Sequence, residues 1–288
     1  MADVELMPMI PNRKIATPYG GGFDVGQADF TFRIRNGDGF TAPSMAEAKP
    51  TTRLLFYTQQ TSVSHLEPYI SYLSDLLAAA VVPTVLPREM PFEAIGRDAA
   101  SSDLVIVDEP DGLWLERLLR GRADCSLATW LPVSTLLARQ PCWPLRHILL
   151  VMRIDETDEA AAEWTIRLAG ASGAAVTILP IVAPIPALDR LNGGHTVGLD
   201  GLLSPNTLSG AHLRRLLDWL ASSHIDGTLR LREGEPQWQL RQEIGEGKSA
   251  YDLVIIGAEG QGSLYRWLMG ELVGPLLRWI NRPVLIAR

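Results

Sequence analysis

A glycine-rich stretch, Gly257-Ala-Glu-Gly260-Gln-Gly262-Ser263, directly follows the apolar run Asp252-Leu-Val-Ile-Ile256 and leads on to Gly270. Glycines at the carboxyl end of a parallel strand let backbone amides approach a phosphate closely. The N-terminus of a following helix favours negative charge there. Strand, glycine loop and helix is the order such a site needs, although a glycine loop alone is equally well explained as a tight turn. Ser263 does not sit on a nucleophile elbow and no base is identifiable, so no catalytic residue is assigned. His65, His147, His195, His212 and His224 are scattered without metal-ligand spacing. The acidic run Asp155, Glu156, Asp158 and Glu159 is explained by the favourable charge at a helix start. No metal site is assigned.

Alternating strands and helices must position that loop. From residue 51, strands are expected at 53–58, 81–86, 103–108 and 126–130, with helices at 66–80, 92–100 and 113–120. Residues 140–144, Gln-Pro-Cys-Trp-Pro, read as a linker. The pattern then restarts with strands at 147–152, 174–182, 227–232, 252–256 and 283–287. Helices are expected at 158–168, 212–222, 237–245 and 272–280. Apolar strands alternating with helices imply a doubly wound parallel sheet covered on both faces. The sequence therefore predicts two tandem α/β domains of Rossmann-like type, 51–140 and 141–288, the first one strand–helix unit short. Residues 1–50 differ. They carry the proline- and glycine-rich 17–23 and then an alternating run, Asp29-Phe-Thr-Phe-Arg-Ile-Arg35, that is strand-like. Such a segment is either a loose tail, a small subdomain, or an extended arm that orders against the body or another chain.

Composition narrows the class. The chain has 288 residues, is 47% hydrophobic and 20% charged, and carries a net charge of −7. It is a globular protein, and nothing globally basic points to nucleic acid. Cys125 and Cys142 stand alone, which argues against a disulfide framework and for a reducing, cytoplasmic setting. The longest apolar run, 76–82, falls far short of the roughly 20 residues of a transmembrane helix.

The glycine spacing Gly257-x2-Gly260-x9-Gly270 resembles that of the universal stress protein family. Tyr251-Asp-Leu-Val-Ile-Ile-Gly257 is similar to the family's fourth strand, and Leu276-Leu-Arg-Trp-Ile-Asn-Arg-Pro-Val-Leu-Ile-Ala287 to its last helix and fifth strand. Residues 147–182 resemble its opening strand, first helix and second strand, with Trp164 placed as in many members. The resemblance covers nearly all of 147–288. Residues 53–132 look like a degraded copy of the same unit, and 1–50 lie outside it.

The resemblance implies a nucleotide crevice in which Gly257, Gly260, Gly262, Ser263 and Gly270 would cradle the phosphates of ATP. In members that bind ATP, an aspartate ends the first strand and Ser or Thr follows the last glycine. Here those positions fall on Arg153 and Glu271. A glutamate about 4 Å from a phosphate charge costs about 4 kcal/mol at an effective dielectric near 20. That offsets much of a micromolar binding free energy of about −8 kcal/mol. An internal Arg153–Glu271 ion pair in place of nucleotide is one reading. Both side chains in solvent is a second, and a nucleotide site that uses Arg153 is a third. Three functions follow. The leading one is a non-catalytic regulatory or interaction protein with a vestigial site and no cofactor. The next is an ATP-binding member, with weak ATPase activity as its extreme. The last is a structural subunit that docks a protein partner through residues 1–50. The family resemblance further implies pairing through terminal strands, either in a homodimer or within the chain, with 126–131 and 283–287 as the contacting edges.

Overall fold

The computed structural model describes residues 6–8, 28–32, 52–58, 66–85, 97, 99–108, 131–153, 159–182, 208–233, 235–245, 251–257 and 280–288. The strands are β1 (Leu6–Pro8), β2 (Ala28–Phe32), β3 (Arg53–Thr58), β4 (Ala80–Val85), β5 (Leu104–Asp108), β6 (Ser134–Ala138), β7 (His147–Arg153), β8 (Ala175–Val182), β9 (Gly227–Glu233), β10 (Leu253–Gly257) and β11 (Val284–Ala287). The helices are α1 (Glu67–Leu77), α2 (Glu159–Ser172), α3 (Leu208–Ser222) and α4 (Pro236–Gly245). The strands form one sheet in the order β1-β2-β9-β8-β7-β10-β11-β6-β5-β3-β4.

Strands β7 to β11 are parallel to one another and stand in the order β9-β8-β7-β10-β11. Ile148, Leu149, Leu150 and Val151 are all buried, as are Leu253–Ile256 and Val284–Ala287. Strands buried on both faces read as unbroken apolar runs, which is why these were visible in the sequence. Strands β3 to β6 are also mutually parallel, in the order β6-β5-β3-β4. This half holds four described strands where the other holds five.

The two runs meet where β6 pairs antiparallel with β11, with Leu136 opposite Leu285 and Leu137 opposite Val284. The contacting edge is therefore 134–138, not the expected 126–131. Residues 126–130 and the expected helices at 113–120 and 272–280 lie outside the described residues. All five residues of β6 are buried, and its polar head is satisfied. Ser134 Oγ accepts from Trp164 Nε1 at 2.9 Å and from the Arg288 amide at 3.0 Å. Thr135 donates to the Val133 carbonyl.

Alternation along each strand divides the core in two. Leu54, Ile106, Leu136, Ile148, Ile178, Leu229, Ile255 and Leu285 face α1, α2 and α3. Leu55, Val105, Leu137, Leu149, Leu179, Val254 and Ile286 face the other side, together with Leu240 of α4. Each buried Leu or Ile contributes about 1.5–3 kcal/mol relative to exposure. Helix α2 buries Ala161, Ala162, Trp164, Thr165, Leu168 and Ala169 on one stripe. It ends at Gly173, whose φ of +71° closes the last turn through an amide hydrogen bond to the Ala169 carbonyl.

Strand β2 adds antiparallel to the outer edge of β9, and β1 adds to β2. The alternating run read as strand-like over 29–35 is thus a strand over 28–32. Among the described residues no helix is long and apolar enough to cross a membrane.

Candidate functional site

In chain order the sheet grows from β7 outward through β8 and β9, then reverses to the other side of β7 with β10 and β11. The carboxyl ends of β7 and β10 therefore flank the point where the strand order switches. This is where doubly wound sheets open a crevice for ligands. The register aligns Ile256 with Val151 and Gly257 with Ala287. Gly257 ends β10, and Arg153 ends β7 on the neighbouring strand. The fold thus brings together two of the residues singled out in the sequence, both at the mouth of the crevice. Gly260, Gly262, Ser263, Gly270 and Glu271 lie outside the described residues, as does any pairing of Glu271 with Arg153.

A second constellation sits on the sheet face beneath α4, toward the amino ends of β7 and β10, and nothing in the sequence reading singled it out. Glu243, near the end of α4, is buried with its side chain only 1% exposed. Arg232 Nη2 donates to its Oε2 at 2.7 Å, and Arg230 Nη1 to its Oε1 at 2.5 Å. The Tyr251 hydroxyl donates to the same Oε1 at 2.5 Å. Burial pushes the Glu243 carboxyl up, but the hydrogen bonds from Tyr251 and Arg232 and the two guanidinium charges outweigh it. The group is held below the usual carboxylate range. Burial, and then the neighbouring carboxylate, push the Tyr251 phenol up, so it stays a donor.

The network continues outward. The His147 ring lies 4.6 Å from the Tyr251 ring, centroid to centroid, and its Nε2 meets the Thr177 hydroxyl at 2.8 Å. Burial and the Arg230 charge push its pKa down, against Asp252 and Glu243. Asp252 accepts the amides of Arg146 and His147 and the Cys142 thiol proton. This ties the segment entering β7 to the start of β10. Burial and the Asp252 hydrogen bond push the Cys142 thiol up, which keeps it protonated and a poor nucleophile. These are scaffold interactions: they set the relative height of β7 and β10, and hence of Arg153 and Gly257 at the opposite end.

The sequence did hold a signal for this cluster. Arg230 and Arg232 are two apart on a strand, so they share a face. Two arginines on the face that α4 covers require an acid on that helix. The other histidines are separate: His212 is buried in α3 and His224 is exposed, while His65 and His195 lie outside the described residues. Among the described residues no group of three His, Cys, Asp or Glu side chains could hold a metal ion.

A mostly parallel, doubly wound sheet with Gly257 ending a strand at its switch point defines a Rossmann-like α/β protein. The universal stress protein family model matches residues 144–288, half of the chain, and the protein belongs to that family. No curated protein matches the chain. It is similar to a solved universal stress protein from Archaeoglobus fulgidus DSM 4304, with 12% identity over 83% of this chain and 86% of that one and a TM-score of 0.48. A functionally unknown protein from Pseudomonas aeruginosa PAO1 shares 13% identity over 82% of each chain, with a TM-score of 0.43. A universal stress protein in complex with cAMP shares 18% identity over 51% of this chain and 98% of that one, with a TM-score of 0.33.

Proposed function

We propose that this universal stress protein is a cytoplasmic, non-catalytic regulatory or interaction protein whose nucleotide crevice is vestigial. The carrying observation is the position of Arg153. It closes β7 beside Gly257 at the switch point, where an ATP-binding crevice of this kind carries an aspartate near base and ribose. Glu271, following Gly270, supports the same reading because it adds negative charge where phosphates would sit. An ion pair between Arg153 and Glu271 would fill the space a nucleotide occupies. Residues 51–140 are a shortened partner unit in this reading, and the β6–β11 seam takes the place of a contact between two separate copies.

A second reading has one observation in its favour: Gly257 opens the glycine loop at the correct end of the correct strand. On that reading Gly257, Gly260, Gly262, Ser263 and Gly270 hold ATP, with Arg153 against its phosphates. Titration of the purified protein with ATP in a calorimeter separates the two. No heat of binding at submillimolar nucleotide is the expected result, whereas micromolar affinity overturns the vestigial-site reading.

A further inference from the structure

The distance the chain must cover between β2 and β3 carries an inference that is independent of the nucleotide reading. Strand β2 covers the outer edge of β9 at one end of the sheet, whereas β3, the next strand in the chain, lies near the other end. The strand order puts eight interstrand steps between them. At about 4.8 Å per step the separation is roughly 38 Å. Residues 33–52, twenty in number, make the connection. A chain of that length reaches roughly 70 Å when fully extended, so attachment to its own edge is allowed. A random coil of that length spans only about 25 Å on average. Attachment within one chain therefore asks the tether to bridge about one and a half times the coil's span, which lowers the effective concentration of the arm at its own edge.

The edge itself needs a covering strand. The Val176 amide donates to the Asp226 carbonyl, so 226, 228 and 230 turn their backbone groups toward β8. Gly227, Leu229 and Leu231 turn theirs outward, and these are the residues opposite Phe32, Phe30 and Ala28 of β2. A bare β9 presents a row of unpaired donors and acceptors, which is a template for a strand from another chain. This pairing is made by the backbone, so β2 of any copy of the chain fits the edge as well as the resident one.

The topology also fixes how a second copy can use the arm. The root of the arm, at β3, and the edge that receives it, at β9, lie toward opposite ends of the same sheet. Two copies set side by side and pointing in opposite directions bring each root beside the other copy's edge. The exchange is then reciprocal and closes with two-fold symmetry. We propose that the β9 edge receives the β1–β2 arm of a second copy of this chain, in a reciprocal arm-exchanged dimer. The arrangement with β2 on its own β9 is the monomeric form of the same contact. Exchange keeps the β2–β9 pairing and removes the long span that 33–52 must bridge. Chain concentration and the length of that connection therefore set the balance.

The test compares the full chain with two variants altered only between β2 and β3, outside the described residues. Deleting 36–47 leaves eight residues in the connection, with a reach of roughly 28 Å, too short for attachment to the chain's own edge. Inserting twenty Gly and Ser residues after 40 gives a coil of about 35 Å on average, close to the required span. Light scattering reads the mass across a concentration series, and amide exchange with mass spectrometry reads protection of 227–231. The wild-type chain is expected to pass from monomer to dimer as its concentration approaches the millimolar range. The shortened chain is expected to dimerise at least about tenfold more tightly with 227–231 protected, and the lengthened chain at least about tenfold more weakly. The comparison of wild type with the lengthened chain stands whether or not the shortened one folds. A wild-type chain that stays monomeric at millimolar concentration, a lengthened chain that dimerises as readily as wild type, a folded shortened chain that stays monomeric, or a shortened dimer with 227–231 unprotected would each overturn the proposal.

Discussion

Tyr251 donates its phenolic proton to Glu243 across 2.5 Å, inside a cluster that also holds Arg230 and Arg232. Tyr251 precedes β10 and Glu243 lies in the last turn of α4, so the bond fixes the helix against the strand that leads into the candidate crevice. Buried groups of this kind depend on complete satisfaction. Losing one partner strands the others.

Glu243→Ala leaves two guanidinium groups beneath α4 without their carboxylate. The expected loss is about 3–5 kcal/mol. Tyr251→Phe removes one donor and leaves the ion pairs, for a loss of about 1–3 kcal/mol. Urea unfolding of the two variants reads the order directly. A Glu243→Ala chain no less stable than Tyr251→Phe would show that the cluster does not hold the helix in place.

Stability is expected to fall with acid in two stages. His147 and His212 are both held below the ordinary histidine value of 6.5, mainly by burial. The unfolded chain then binds more protons than the folded one once pH drops below about 6.5, so stability declines there. Glu243 is depressed below its ordinary 4.5. Its contribution is complete above the unfolded carboxylate value and is lost as pH falls through the lower, folded one. Thermal midpoints between pH 8 and pH 3 check the shape. A flat profile from pH 7 to 5 would remove the histidine contribution.

His212 is 2% exposed and neither ring nitrogen has a hydrogen-bond partner. Replacing an unsatisfied buried polar ring by an apolar side chain of similar size removes a desolvation cost. His212→Leu is therefore expected to raise stability by about 1 kcal/mol and to shrink the decline between pH 7 and 5. A destabilised variant would mean that His212 serves a role its surroundings do not reveal.

Ser134→Ala takes away the acceptor of the Trp164 indole and the Arg288 amide together. The expected cost is about 1–3 kcal/mol, with a changed Trp164 environment in fluorescence. Equal stability and an unaltered emission spectrum would contradict this.

If the charges at Arg153 and Glu271 exclude nucleotide, restoring the pattern of ATP binders should admit it. Arg153→Asp combined with Glu271→Ser is expected to tighten ATP binding at least about tenfold, a gain of roughly 1.4 kcal/mol. A double variant as inert as the parent would place the block elsewhere in the crevice.

Strands β7, β10 and β11 were legible because each is buried on both faces, and burial on both faces writes an uninterrupted apolar run. The strand order then placed Arg153 and Gly257 side by side at the switch point. β6 was missed for the opposite reason. It opens with Ser134 and Thr135, whose hydroxyls are satisfied by Arg288, Trp164 and the Val133 carbonyl; those partners are remote or local in ways that pattern alone does not show. The Glu243 cluster escaped notice because arginines alternating with leucines in β9 look like a strand with one solvated face. Only the placement of α4 over that face turns Arg230 and Arg232 inward.

Ser134 and Arg288 meet across 154 residues of chain. During synthesis β6 is made long before β11, and it has no partner on the side that β11 covers until 284–287 have left the ribosome. A buried strand must therefore wait, bare, for β11, and so distant a closure is slow. The nascent chain is consequently vulnerable to sticking to its neighbours in the interval between the two strands.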